Sequence, residues 1–70
     1  MNHPAGFSFR IIDKFTVAVT ISPETFKMDM PALIQGIATL TQQEEMYPGT
    51  ATDILNLYLD ALEALDKAPK

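Results

Sequence analysis

Apolar and polar residues alternate in two stretches near the start of the chain, Phe7–Ile11 and Phe15–Ile21. In the first stretch, the apolar side chains that share one face are Phe7, Phe9 and Ile11. In the second stretch, the apolar face consists of Phe15, Val17, Val19 and Ile21. A period of two in aromatic and β-branched residues is typical of strands with one buried face. The pattern therefore predicts an antiparallel β-hairpin over residues 7–22.

The length of the hairpin loop determines which side chains share a face. A two-residue loop at residues 13–14 would bring Arg10 onto the apolar face of the second strand. A three-residue loop at residues 12–14 pairs Ile11 with Phe15 and makes one face wholly apolar. A register that buries one uniform face is favoured, so the sequence predicts the longer loop. The weak point is that this loop lacks the Gly or Asn that its left-handed position prefers.

A helix-start signal follows at Ser22-Pro23-Glu24, which offers a capping residue, a proline for the first helical position and an acid for the first turn. It predicts a short helical turn over residues 23–28. Pro31 disfavours helical geometry at the residue before it, so we expect a break near Asp29. From there apolar residues recur with helical spacing, which predicts a helix over residues 31–45. The apolar stripe of that helix comprises Leu33, Ile34, Ile37, Ala38 and Leu40.

A second long helix is predicted over residues 51–67. The Pro48-Gly49 pair interrupts the chain before it, and Thr50 stands three residues before Asp53, in the position of a capping residue. The apolar side chains of this helix cover an arc of roughly 220°, about twice what packing on one layer needs. They are Ile54, Leu55, Leu57, Tyr58, Leu59, Ala61, Leu62, Ala64 and Leu65. The helix therefore has apolar surface beyond one contact.

These elements predict a small α+β fold, an N-terminal antiparallel β-hairpin followed by two antiparallel helices in the order ββαα. We expect a single small domain over residues 1–70, with residues 1–6 disordered. Apolar residues make up 47% of the chain and charged residues 20%, as in globular proteins. The chain contains no cysteine, so no disulfide can compensate for the small core of so short a protein.

Self-association is an expected source of additional stability. The stretch 15–23 has high β propensity and no charge, which leaves its edge open to pairing with another chain. Two copies could form a four-stranded sheet, or could pack their last helices together, and so cover the strand or the wide apolar helix face. The sequence therefore predicts a homodimer. A different partner chain on the same surfaces is the alternative.

The net charge of −4 is distributed unevenly. Residues 1–30 carry three basic and three acidic side chains, whereas residues 31–70 carry six acidic side chains and two lysines. Binding to nucleic acid relies on clustered Lys and Arg, and the sequence contains no such cluster, so we expect no nucleic-acid partner. A strand followed by two helices resembles the outline of a ribbon-helix-helix repressor. That resemblance keeps DNA binding as the least favoured hypothesis.

The sequence also bears on the compartment. No apolar run approaches the roughly 18 residues that a membrane-spanning helix needs, so no membrane partner is expected. The first ten residues lack the basic start and apolar run of a secretory signal. We therefore expect a cytoplasmic protein.

Catalytic chemistry finds little support in the sequence. A triad needs a base beside its serine, and the only histidine is His3, in the N-terminal residues. Ser8 and Ser22 are interpreted as a solvent-facing strand residue and a helix cap. Asp60 and Glu63 are carboxylates three residues apart, but on the polar face of the last helix, where neither would be desolvated. No Gly-rich phosphate loop is present, and no Cys or further His accompanies the acids as metal ligands. We expect no enzyme activity, no cofactor and no metal.

The predicted function is that of a small protein-binding protein, a regulator, inhibitor or assembly accessory of the kind that phages and mobile elements encode. The residues predicted to meet a partner or a second copy are Leu55, Tyr58, Leu59, Leu62, Val17 and Val19, with Asp60 and Glu63 at the rim. The alternative is a module that binds a small molecule or nucleotide, in a pocket between the hairpin and the helices or at a dimer seam.

Overall fold

The computed structural model describes residues 3–68 and contains a three-stranded antiparallel sheet followed by two helices. The elements are β1 (Phe7–Ile11), β2 (Thr16–Ile21), β3 (Glu24–Asp29), α1 (Met30–Met46) and α2 (Thr52–Asp66). The strands follow one another across the sheet in the order β1-β2-β3. The predicted α+β class, with a hairpin ahead of two helices, is confirmed.

The register of the first hairpin differs from the predicted one by two residues. Ile11 lies opposite Val17 and not opposite Phe15. An even shift keeps the same side chains on the same face, so the predicted apolar face of the hairpin is present. Phe15 lies in the loop, because Asp13 accepts a hydrogen bond from its backbone N–H at 2.8 Å, as aspartates do when they close a turn two residues further on.

The predicted helical turn over residues 23–28 is wrong, because most of this segment forms β3. Ser22 and Pro23 are the two-residue turn of a second hairpin and do not start a helix. A helical turn here would leave the second edge of β2 without hydrogen-bond partners, whereas an extended segment satisfies that edge. The local helix-start signal contains no information about this pairing, which explains the failure of the prediction.

β2 is therefore the central strand, with a hydrogen-bonded neighbour on each side. Its charge-free sequence suits this position, since a central strand needs no charge to prevent pairing with other chains. The edge strands do carry charge: Arg10 in β1, and Glu24, Lys27 and Asp29 in β3. The open edge of β2 thus no longer provides a reason to expect a homodimer with a four-stranded sheet.

The two helices agree with their predicted bounds to within one residue at each end. α1 follows β3 directly, and Asp29 is its N-cap, accepting a hydrogen bond from the backbone N–H of Ala32 at 3.0 Å. Pro31 lies in the first turn, where its missing N–H leaves no hydrogen bond unmade. The expected break near Asp29 is therefore a change from strand to helix.

The core lies between one face of the sheet and the two helices. Its fully or almost fully buried side chains are Val17 and Val19 from β2, Leu33 from α1, and Leu57, Ala61 and Leu65 from α2. Each buried Val or Leu stabilises the fold by about 1.5–3 kcal/mol relative to an exposed side chain. Because α2 supplies half of this set, the sheet depends on it for cover.

Residues 3–6 form a turn ahead of β1, in which the backbone N–H of Phe7 donates to the carbonyl of Pro4 at 3.0 Å. Disorder over residues 1–6 stays a prediction. Residues 1–2, like 69–70 at the other end of the chain, lie outside the described residues.

Candidate interaction surface

An open apolar groove runs between α1 and α2. Met30 and Ile34 line it from α1, and Leu59 and Leu62 line it from α2, around a volume of about 310 Å³. These pairs are spaced by four and three residues, so the members of each pair lie on the same face of their helix. Ile34 is 54% exposed and Leu59 is 44% exposed. The two helices thus present a contiguous apolar surface to solvent.

A larger cavity, of about 560 Å³, continues this groove beyond the start of α1. The two cavities share Met30 and Asp66. Phe15 and Leu65 contribute apolar lining to the larger one, and the Nζ of Lys14 lies 5.1 Å from the centre of the Phe15 ring, within the range of a cation–π attraction. We refer to the two cavities together as the interhelical groove.

Acidic side chains border the interhelical groove. Glu63 and Asp66 lie along it on α2, and Asp29 lies at its end. Glu63 accepts a hydrogen bond from the Nζ of Lys67 at 2.7 Å, and this bond raises the pKa of Lys67. Neither of the ion pairs found among residues 3–68 involves Asp66. The rim therefore carries three carboxylates, with Lys67 close to Glu63 and Asp66 on α2 and Lys14 at the loop end of the groove.

Glu44 of α1 holds the turn between the two helices. Its carboxylate accepts hydrogen bonds from the backbone N–H groups of Gly49 at 2.7 Å and Ala51 at 3.0 Å, and from the hydroxyl of Thr52 at 3.0 Å. These bonds, the one from Gly49 foremost, lower the pKa of Glu44. The predicted cap, Thr50, instead donates its hydroxyl to a carbonyl of the preceding turn. Glu44 thus fixes the start of α2 to the end of α1.

Tyr58 lies against Gly36, on a different side of the helix pair from the groove lining. A Cβ added at Gly36 would be 2.6 Å from the Cε2 of Tyr58, well below the contact distance of about 3.5–4.0 Å between carbons. Tyr58 is half-buried and packs on the core. The ring therefore fills the space that the missing side chain of Gly36 leaves and sets how closely the helices approach.

The predicted interface residues lie in different environments. Leu59 and Leu62 line the groove, and Leu55 is half-buried one turn before Leu59 on the same face of α2. Val17 and Val19 have no solvent exposure. They lie in the core because both helices pack on this face of β2. The prediction that these two valines meet a partner is therefore wrong for the folded chain.

The two predicted rim residues both line a shallow cavity between α2 and β1. Glu63 also borders the groove, whereas Asp60 does not. In the shallow cavity, the Oδ2 of Asp60 is 2.7 Å from the Nε2 of His3, whose side chain is 11% exposed. His3 and Asp60 tie the N-terminal turn to α2. Both residues therefore have a structural role away from the groove.

Several apolar residues of the groove are missing from the predicted interface, among them Met30, Ile34 and Phe15. Ile34 belongs to the apolar stripe predicted for α1, but its exposure depends on how the helix is rotated against the sheet. Phe15 was expected in the strand, and the two-residue register difference moves it into the loop. The sequence signal for this surface is the large number of apolar positions on both helices, which exceeds what the sheet can cover.

The other face of the sheet is open and polar. Arg10 and Lys27 flank Ala18 across the three strands, and the hydroxyl oxygens of Thr20 and Thr25 lie 3.0 Å apart. A phosphate-binding surface uses many clustered cations, whereas Arg10 and Lys27 on this face are separated by the central strand β2. The fold therefore does not bring basic residues together into a cluster that would favour DNA binding.

Comparison of the chain with protein-family models, with curated proteins and with solved structures finds no match. Among residues 3–68, no three His, Asp or Glu side chains come together as potential metal ligands. Neither α1 nor α2, the helices of this part of the chain, has the length and apolar composition needed to cross a bilayer.

Proposed function

We propose that this protein acts by binding another protein through the interhelical groove, as a regulator, inhibitor or assembly accessory in the cytoplasm. The observation that carries the proposal is the exposure of Ile34 and Leu59 in one contiguous groove. Isolated apolar residues are common on protein surfaces, but a contiguous apolar patch with a polar rim is typical of an interaction site.

The proposed mode of action is steric occlusion or conformational bias of the partner. Such a role needs a surface of fixed shape and no catalytic group. The Glu44 carboxylate fixes the helix–helix turn, and the contact of Tyr58 with Gly36 fixes the helix separation. Both support a preformed groove, which binds at a lower entropic cost than a surface that must become ordered.

A comparison of two apolar-to-polar variants tests the proposal. Leu59→Gln removes an apolar side chain from the groove, and Met46→Gln removes one that is 69% exposed at the far end of α1. Each variant is immobilised, and the proteins that it captures from cell extract are quantified by mass spectrometry. We expect Met46→Gln to capture the same proteins as the wild-type chain and Leu59→Gln to lose them. Circular dichroism must show that both variants fold. Equal capture by the two variants would contradict the proposal.

A second candidate is self-association through the same groove. The small core and the exposed apolar residues of both helices support a homodimer, although the edge of β2 no longer does. Light scattering over a low to high micromolar range would measure the mass. A dimer of the 7.7 kDa chain that Leu59→Gln converts to monomer would support this candidate, and a monomer at every concentration would exclude it.

The alternative of a small-molecule or nucleotide binding module is supported by the cavity at Phe15 and Leu65. Its volume of about 560 Å³ lies within the range of ligand sites. A binding ligand at 100 times its Kd stabilises a protein by about 2.7 kcal/mol, which a thermal-shift screen of metabolites and nucleotides would detect. Binding that Phe15→Ala abolishes would favour this alternative over protein binding.

A further inference from the structure

The charges around the interhelical groove point to the chemistry of its partner. The helical layer, residues 30–68, carries six acidic residues and a single lysine. Two of the acids, Glu63 and Asp66, stand directly at the groove. The lysine, Lys67, pairs with Glu63 at 2.7 Å. Lys14, from the loop before β2, lines the far end of the groove, so three acids (Asp29, Glu63 and Asp66) face two lysines there. A partner that brings cations to this rim gains attraction, whereas a partner with acids meets repulsion.

The spacing of the groove residues points to the shape of the partner. On α2, Leu55 lies one turn before the groove, and Leu55 and the groove residues Leu59, Leu62 and Asp66 follow one another at intervals of four, three and four residues. These intervals are typical of a helix that packs along another helix. From Leu55 to Asp66 the stripe is about 16 Å long at 1.5 Å per residue. A partner helix of about three turns would match this length.

We infer that the groove takes a basic amphipathic helix of the partner protein, with apolar residues toward Ile34 and Leu59 and with Lys or Arg toward Glu63 and Asp66. This inference rests on the proposed function and adds the class of partner. The inference also favours a basic partner helix over a second copy of this chain in the groove. A second copy would place the acidic helical layers of two chains against each other, and like charges at an interface are unfavourable.

Three synthetic peptides of about 18 residues test the inference. They share an amphipathic helical design with leucines on one face, and their flanking positions are all Lys, all Gln or all Glu. Exposed ion pairs contribute about 0.2–1 kcal/mol each, so two or three of them correspond to about a tenfold difference in Kd. By isothermal titration at about 20 mM salt, we expect the Lys peptide to bind about tenfold more tightly than the Gln peptide. This advantage should shrink in about 0.5 M salt through screening.

Two charge variants of the protein locate the effect. Asp66→Asn removes an acid at the groove, and Glu24→Gln removes one on β3, outside the helical layer. Both variants have the same net charge. We expect Asp66→Asn to weaken binding of the Lys peptide about threefold, as loss of one exposed ion pair implies, and Glu24→Gln to leave it nearly unchanged. Equal effects of the two would overturn the assignment of the rim.

The remaining outcomes separate the inference from the proposed function. Similar affinities for the three peptides, all lost in Leu59→Gln, would overturn the basic partner and leave protein binding in place. Absence of peptide binding, together with a dimer that Leu59→Gln dissociates, would overturn the basic helix in favour of a second copy. Absence of peptide binding, of self-association and of any Leu59-dependent capture would overturn both the inference and the proposed function.

Discussion

Replacement of Gly36 by alanine sets two physical effects against each other. Glycine inside a helix is less favourable than alanine by about 0.8–1.0 kcal/mol, so helix propensity alone predicts that Gly36→Ala stabilises the protein. The structure predicts the opposite sign. The new Cβ would lie 2.6 Å from Cε2 and 3.0 Å from Cδ2 of Tyr58, and carbon atoms in contact are normally about 3.5–4.0 Å apart. The ring has to move by about 1 Å.

The magnitude follows from the difference between the two terms. Added volume in a packed site costs about 1–3 kcal/mol, which exceeds the propensity gain of about 1 kcal/mol. We therefore expect Gly36→Ala to lower the free energy of unfolding by about 1 kcal/mol. In a Tyr58→Ala background the clash is absent, and the same substitution should stabilise by about 1 kcal/mol. The coupling between the two sites is then about 2 kcal/mol, within the range seen for residues in contact.

Urea unfolding followed by far-ultraviolet circular dichroism measures all four members of this cycle. Ala38→Gly, at an exposed position of α1, is the control for propensity and should cost about 1 kcal/mol. If Gly36→Ala stabilises the protein equally with and without Tyr58, the ring does not lie on Gly36. The Tyr58 ring would then not set the separation of the two helices or the width of the groove between them.

Three further substitutions test the elements that support the groove. Hydrogen bonds lower the pKa of Glu44, so its carboxylate should stabilise the fold fully above its ordinary value of 4.5 and progressively less as the pH falls through the lowered folded-state pKa. The urea midpoints of wild type and Glu44→Gln should therefore differ at neutral pH and converge in acid; a constant difference would contradict the cap. Asp29→Ala should cost about 1 kcal/mol in the same assay and Asp29→Asn much less, so equal losses would contradict the N-cap. Leu33→Ala should cost about 2–5 kcal/mol, comparable to the whole stability of so small a core; a cooperative melt near the wild-type Tm would show that Leu33 is not buried as described.

The faces of the elements could be predicted from the sequence because each depends on local periodicity. The alternation around Val17 and Val19 specified which side of β2 is buried, and the helical spacing around Leu33 and Leu57 specified the two helices. The partners of each element could not be predicted in the same way. The turn that leads into β3 carries a helix-start signal at Ser22, and the free edge of β2 that overrides this signal lies outside the segment itself.

For the candidate site too, local periodicity predicted that apolar residues would be exposed, but it could not predict which ones. The wide apolar arc of α2 predicted exposed leucines, and Leu59 is indeed exposed. Which of the apolar residues would face solvent depended on the rotation of each helix against the sheet, and this is set by packing of the whole core. For that reason Tyr58, which the arc includes, packs on Gly36, and Ile34 of the other helix faces solvent.

The dependence of the core on α2 has a consequence for synthesis on the ribosome. The strands of the sheet are neighbours in sequence, so β1, β2 and β3 can pair as soon as they emerge, with little loop-closure cost. The residues of α2 that cover them, Leu57, Ala61 and Leu65, are translated after all three strands and α1. Until then a nascent sheet would expose the apolar face of β2 to other chains. Such an interval of exposed apolar surface is one in which chaperones bind and aggregation begins.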